Sequence, residues 1–357
     1  LETEWLSNIA QSLLDSACKE QAIDSKPLFG DSSPNQSPRP NGSRGFFTQQ
    51  AIAIEASARK LGNVHPNAPF DEMRYEDFCA VADRIGHGVD QLFSATQSPS
   101  VGILIERSVE AMLEASGVNT SLGTIILLAP MWLCSFASCS DAKAKSSLVV
   151  EDNDSYDPIR GFKNVVGIEM WDRNAFQIEI EQVLCRMDHE DSQAIYRAIR
   201  LAHPGGLGAS KVHDVRDEAP ASILDAMKTA AAWDDVALQY ANGYQQVCEG
   251  AERLIRDAHA GVKADDAIRC LQLHWLSTRP DSLIVRKHGE QVGRMIQQRV
   301  NEVLQSGPYG SDEFEDAWRM LDEDMRIKGR RINPGTTADL IAASLYLGQL
   351  VSEGAGA

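Results

Sequence analysis

The sequence predicts an all-α protein, a single compact multi-helix domain around one buried central helix. Three observations predict it. No alternating apolar–polar run of strand length occurs, whereas many segments carry apolar residues at helical spacing. Aromatic residues make up only 6% of the chain while alanine is abundant, which favours closely packed helices over sheets. Residues 123–136 are apolar on nearly every side, the mark of a helix enclosed by others.

Taken in order, residues 1–23 read as an N-terminal helix with Ile9, Leu13 and Leu14 on one face. Residues 24–45 gather Pro27, Pro34, Pro38 and Pro40 among serines, asparagines and glycines, and are expected to form a flexible loop. An all-helical domain then spans 46–353. Its first helix covers 48–61, with Gly62 where a C-cap glycine would sit. Residues 75–96 are amphipathic through Phe78, Val81, Ile85, Val89 and Leu92. Residues 101–116 form another helix, stopped by Gly117, and the central helix follows Asn119 and Thr120. Residues 141–161 turn acidic and read as an exposed insertion. Helices are then expected at 174–187 and 191–202, one or two long ones over 222–259, and another at 264–277. Pro280, Asp281 and Ser282 open the next, with Asp281 and Ser282 as candidate caps. Residues 311–328 are amphipathic, and the segment 333–339 opens the last helix.

The 357 residues carry a net charge of −17, which argues against a general binder of nucleic acid or anionic membrane. A phosphorylated ligand would have to be held by a local basic cluster. The seven cysteines are scattered without a C-x-x-C, as expected of buried thiols in a reducing compartment. No signal peptide opens the chain, and the most apolar run is too short to span a bilayer and contains Pro130, so the expected location is cytoplasmic. Zinc-ligand motifs, G-x-S-x-G, the P-loop and a strand-borne G-x-G-x-x-G are all missing, which disfavours zinc enzymes, serine hydrolases, P-loop NTPases and Rossmann enzymes.

The chemistry collects at helix–loop junctions: 55–65, 119–124, 203–214 and 333–339, with 281–288 as a helical contributor. The 203–214 segment, HPGGLGASKVHD, is poor in side chains and lets backbone approach a ligand closely. It would serve equally as a connector ending in a glycine C-cap. Helix starts rich in glycine and threonine, such as Pro334-Gly335-Thr336-Thr337, present free amides and a positive dipole end to phosphate oxygens. Thr336-x-x-Asp339 is also a capping-box variant that satisfies the same amides without a ligand. A carboxylate at that end repels phosphate unless a cation lies between them, so a ligand-binding Asp339 implies a metal. Arg286 and Lys287 form the best local basic pair. Beside a helix start they would oppose the dipole, a choice that an anionic ligand would explain and an ion pair with Glu290 would explain as well. His203 could bond backbone, ligate metal or touch substrate.

These segments resemble the triphosphoribosyl-dephospho-coenzyme-A synthase family. The resemblance is carried by Glu55-Ala56-Ser57 through Lys60-Leu61-Gly62-Asn63-Val64, by Asn119-Thr120 with Gly123-Thr124, and by His203-Pro204-Gly205-Gly206-Leu207-Gly208. It continues in Pro280-Asp281-Ser282-Leu283-Ile284 with Arg286-Lys287 and Gly289, and in Asn333-Pro334-Gly335-Thr336-Thr337-Ala338-Asp339-Leu340. The glycine loop is closer to an archaeal-type branch, and Ser282 and Arg286-Lys287-His288-Gly289 stand where lyase-associated members carry threonine and Arg-Gly-Gly.

The resemblance implies an all-helical enzyme that transfers the triphosphoribosyl part of ATP to the ribose 2′-hydroxyl of 3′-dephospho-coenzyme A and releases adenine. That product is a precursor of a lyase prosthetic group. Small-molecule nucleotides would be the partners, with no nucleic acid or membrane; a homo-oligomer is compatible with this. It implies Mg2+ as cofactor, with Glu55, Asp281 and Asp339 as metal ligands or general base. Lys60, Arg286 and Lys287 would contact phosphates, while Asn119, Thr120, His203, Gly205, Gly206, Gly335, Thr336 and Thr337 would shape the nucleotide pocket. Two rivals stand beside this reading: a related transferase with another acceptor, and a non-catalytic helical module. An enzyme should bring the carboxylates and Arg286-Lys287 to one cleft, whereas a scaffold would disperse these loops over its surface.

Overall fold

A computed structural model describes residues 42–96, 98–134 and 171–354, and these form fourteen helices with no strand among them. The expected N-terminal helix, the acidic 141–161 insertion and residues 24–41 of the expected loop lie outside the described residues. Residues 44 and 45, assigned from sequence to that loop, belong instead to α1 (Arg44–Ser57), because Ser43 caps the helix by accepting from the Phe46 amide at 3.1 Å.

The caps explain most of the boundaries. Serine or aspartate accepts an amide of the first turn at the start of α3 (Val101–Ser116), α5 (Arg173–Cys185), α6 (His189–Ala202), α7 (Ile223–Ala230) and α8 (Asp235–Asn242). Where one or two long helices were expected over 222–259 there are three, completed by α9 (Gln245–His259). Asp234 caps α8, and Gly243 ends it in the left-handed conformation. The first helix stops at Ser57, earlier than its apolar pattern suggests, and Gly62 lies in the following loop and not at the cap.

The central helix, α4 (Leu122–Trp132), is short and almost wholly enclosed. Its Pro130 lacks the amide that would bond the Ile126 carbonyl, one turn back. The Tyr240 hydroxyl donates to that carbonyl at 2.7 Å, and Tyr244 donates to the neighbouring Leu127 carbonyl at 3.0 Å. Two buried tyrosines, one in α8 and one at the cap of α9, therefore make a proline tolerable in the middle of the core. α4 shares the centre with α14 (Gly335–Gly354), which is likewise buried on most sides and packs against α1, α4 and α9. Around this pair lie α2 (Tyr75–Ala95), α3 and α6, buried through one apolar stripe each.

A second core joins α10 (Ala264–Thr278), α11 (Ser282–His288), α12 (Glu290–Ser306) and α13 (Asp312–Met325), through Leu273, Ile284, Val300, Phe314 and Trp318. This second layer grips the loop after α1. Gln272 of α10 accepts from the Leu61 amide at 2.8 Å and donates to Asn63 Oδ1 at 2.8 Å, while Asp322 of α13 accepts from the Gly62 amide at 2.8 Å. The loop that carries Asn63 and His65 is held by side chains more than two hundred residues away in sequence.

Candidate active site

The starts of α4, α8 and α14 converge with the end of α1, the short α11 and the 203–214 loop around one cavity of about 500 Å3. Of the sequence-predicted residues, Glu55, Asn119, Thr120, His203, Gly205, Arg286, Lys287, Gly335, Thr336 and Asp339 line it. Lys60, Asp281 and Thr337 are buried behind the wall, and Gly206 is exposed beside it. The loops are gathered on one cleft, not dispersed.

Asp281 and Asp339 have divided the capping between helices. Asp281 Oδ1 accepts from the Leu283 and Ile284 amides at 2.9 and 3.0 Å, which caps its own helix, α11. Its Oδ2 accepts from the amide and hydroxyl of Thr337, both at 2.7 Å, which caps α14. With both oxygens taken and only 3% exposed, Asp281 is a fastening between two helices, and burial pushes its carboxyl up against the pull of those four donors. Asp339 does not close a capping box with Thr336. It reaches across to α4, where the Thr124 amide and hydroxyl donate to Oδ1 at 2.9 and 2.7 Å. A Cβ on Gly123 would stand 2.2 Å from Asp339 Oδ2, so the carboxylate can lie on the start of α4 only because residue 123 is glycine.

Asp339 keeps part of its surface on the cavity and is otherwise surrounded by protein. Burial, with the negative charges of Glu55 and Asp281 adding to it, pushes its carboxyl up to about 7. Glu55 also faces the cavity, and burial raises its carboxyl while Lys60 opposes the shift. Lys60 is fully buried behind it: its ammonium pairs with Glu55 Oε1 at 3.0 Å and donates to the Glu55 and Ala58 carbonyls. Its donors are thereby occupied, so the phosphate contact expected of Lys60 gives way to bracing of Glu55. His65, from the same loop, is pushed down to about 3 by burial and the nearby Arg326, and stays neutral.

Arg286 and Lys287 occupy the last turn of α11, not its beginning, because the helix is only seven residues long and ends at Gly289 with φ +89°. There they suit the dipole, and the conflict expected from sequence does not arise. Arg286 pairs with Asp234 at 2.8 Å, while Glu290 pairs with Arg294. Asp234 is thus both a cap and part of the cavity wall. Lys287 has no carboxylate at ion-pair distance among the described residues. Burial, then Arg286 and Arg331, lower its ammonium.

The glycine loop lies over Lys287. Gly206 has φ +72°, and a Cβ there would come within 2.9 Å of Lys287 Cγ and 3.2 Å of the Arg286 carbonyl. The C-cap of α6 is His203 itself, at φ +45°, and not one of the glycines. The far end of the loop is anchored by Asp214, which accepts from the Ser210 and Arg216 amides at 2.8 and 2.9 Å. The Arg216 guanidinium beside it holds the Asp214 carboxyl well below the usual range.

Asn63, Asn333, Asp234 and Arg331 line the cavity as well. The first two sit inside the segments that resemble the family, and the Asn63 amide donates to Asn333 Oδ1 at 2.7 Å, joining two of those segments. Arg331 lies two residues ahead of Asn333 and carries no local sequence signal. Among the described residues, no three His, Cys, Asp or Glu side chains are grouped so as to hold a metal ion.

The sequence model of the CitG family, ATP:dephospho-CoA triphosphoribosyl transferase, matches residues 43–356. The chain belongs to this transferase family. It is therefore an enzyme of the ATP:dephospho-CoA triphosphoribosyl transferase type, and its small-molecule nucleotide substrates fit that assignment. The fold is similar to a crystal structure from Archaeoglobus fulgidus assigned as a triphosphoribosyl-dephospho-CoA synthase, with a TM-score of 0.50 and 20% identity over 78% of this chain and 98% of that one. No curated protein sequence matches the chain. Among the described residues no helix is long and apolar enough to cross a membrane.

Proposed function

We propose that this transferase breaks the ribose–adenine bond of ATP and joins C1′ of the triphosphoribosyl group to the ribose 2′-hydroxyl of 3′-dephospho-coenzyme A. The observation that carries this reading is one cavity that brings the carboxylates Glu55 and Asp339 together with the cations Arg286 and Lys287, in a chain of net charge −17. A triphosphate needs the cations; an oxocarbenium-like centre needs the carboxylates.

In this reading Asp339 is the base. Its carboxyl titrates near neutral pH, where a group can hold and release a proton with equal ease. It takes the 2′-hydroxyl proton as the new C1′–O bond forms, and adenine departs with the electrons of the C1′–N bond and is protonated. Thr124 holds Oδ1, so Oδ2 is the oxygen placed for this task. Glu55, braced by Lys60, supplies negative charge to the developing cation on the ribose. Arg286 and Lys287 hold phosphate oxygens, and the glycine loop closes backbone over them. Apolar residues of the same cavity, among them Leu207, Met227 and Trp233, suit the long arm of a coenzyme-A-like acceptor.

Mg2+ fits as an ion carried on the triphosphate. This cation keeps several waters and takes one or two carboxylates together with substrate phosphates. Glu55, which faces the cavity, would receive it, while Asp339 is kept for the proton; the oxygens of Asp281 are committed to Leu283, Ile284 and Thr337. When bound it would neutralise phosphate charge. Adenine release is the test, with ATP, Mg2+ and 3′-dephospho-coenzyme A omitted in turn. Release that requires all three is expected. Release without the acceptor would mean another acceptor, and no release by the folded protein would overturn the reading.

A further inference from the structure

Arg331 belongs to the stretch that pins the segment after Asn63 against the end of α13. Lys328 pairs with Asp71 at 2.7 Å, and Arg331 pairs with Glu72. The Arg331 guanidinium also lies 4.0 Å from the ring centroid of Phe70. Lys328 is almost fully exposed and does not line the cavity; Arg331 and Glu72 both line it. Two exposed ion pairs would make an adequate clasp, yet one has been placed where it meets the ligand space.

Three cations from two segments thus share one rim: Arg286, Lys287 and Arg331. Arg331 and Arg286 are close enough to lower the Lys287 ammonium. Mutual repulsion of this kind is unfavourable in a ligand-free protein and favourable once a polyanion is seated. Arg331 is prepared for that: stacking on Phe70 holds the plane of its fork, and its carboxylate partner is half exposed, so exchanging that partner costs little. A phosphate offers the same fork two oxygens and more charge.

We propose that Arg331 is a third cation for the triphosphate, and that Glu72 occupies it as an internal stand-in for a phosphate until the nucleotide binds. The inference rests on the reading of the cavity as a triphosphate site. Binding of inorganic tripolyphosphate with Mg2+ to the full chain, followed by calorimetry, tests it without requiring turnover. Arg331→Gln should weaken binding about tenfold. Glu72→Gln should strengthen it a few-fold, because the competing anion is gone, and Lys328→Gln should leave it unchanged.

Arg331→Gln and Glu72→Gln break the same ion pair, so any loss of folding is common to both, and thermal unfolding of each will report it. Opposite effects on binding would support the phosphate contact. Equal weakening by both would mean a clasp only and overturn the inference, as would wild-type affinity in Arg331→Gln. Adenine release by the wild type separates the two levels: release with unaltered Arg331→Gln binding overturns this inference and leaves the transferase reading standing. Neither tripolyphosphate binding nor adenine release in the wild type would overturn both.

Discussion

The two walls of the cavity are built in opposite ways. On one side the starts of α4, α11 and α14 are locked together by Asp281 and Asp339, whose carboxylates accept six hydrogen bonds of 2.7 to 3.0 Å from backbone and threonine donors. Thr336 and Thr337 there are buried. On the other side, the glycine loop is exposed from Gly205 to Ala209 and is anchored at its ends, by the His203 cap and by Asp214. The first wall stores orientation in hydrogen bonds made before any ligand arrives, which is what catalysis at a charged centre requires. The second has few bonds to lose and can adjust to whatever it covers.

The largest effect expected from this contrast lies at Asp339. Asp339→Asn keeps the acceptor for Thr124 but cannot take a proton, so kcat should fall by about 10^2 to 10^3 in a folded protein. A near-normal kcat, measured as adenine release, would remove the base from this wall. Next is Asp281→Ala, which uncaps two helices and leaves buried donors unpaired. It should destabilise the protein by about 2–4 kcal/mol in denaturant unfolding. If it left stability untouched, the wall would owe its order to something else.

Gly206→Ala, on the opposite wall, should raise KM for ATP several-fold and cost about 1–2 kcal/mol of stability, less than Asp281→Ala. The added methyl meets Lys287 and imposes a left-handed backbone at φ +72°, but it breaks no hydrogen bond. A loss of stability as large as that of Asp281→Ala would erase the distinction between the two walls. The last expectation concerns pH dependence. In the folded protein Asp339 holds its proton up to about 7, whereas the unfolded chain has released it above about 4. The associated stabilisation is complete below about pH 4 and is lost as pH rises through 7. Without ligand, the unfolding midpoint should fall between about pH 4 and 7, and Asp339→Asn should flatten that fall. A remaining slope is expected from Asp235, which burial pushes up to about 6 in spite of its Arg279 partner.

Much of this arrangement could be read from the chain. The helix class follows from periodicity, and eight Ser or Asp caps mark where helices begin. The cavity-lining segments were visible because glycine, threonine, asparagine and charge accumulate at helix ends, and because together they resemble one family. Both are properties of neighbours along the chain. Partnership is not. Asp281 and Asp339 look alike in sequence, each at or near a helix start, yet one fastens two helices behind the wall and the other presents an oxygen to the cavity. Lys60 and Lys287 are two basic residues in similar motifs; burial beside Glu55 uses up the first, and the second lies under the glycine loop. Arg331 has no local signal at all, and only the approach of Phe70 and Glu72 brings it to notice.

By itself, then, the sequence determined the all-α class, the central apolar helix, the Asp281 cap and the segments that meet at the site. Which carboxylate is free, which lysine is occupied and where α11 ends were decided by tertiary structure. The physical reason is that helix formation and capping are settled by contacts within a few residues, whereas burial and ion pairing depend on atoms brought together from distant parts of the chain.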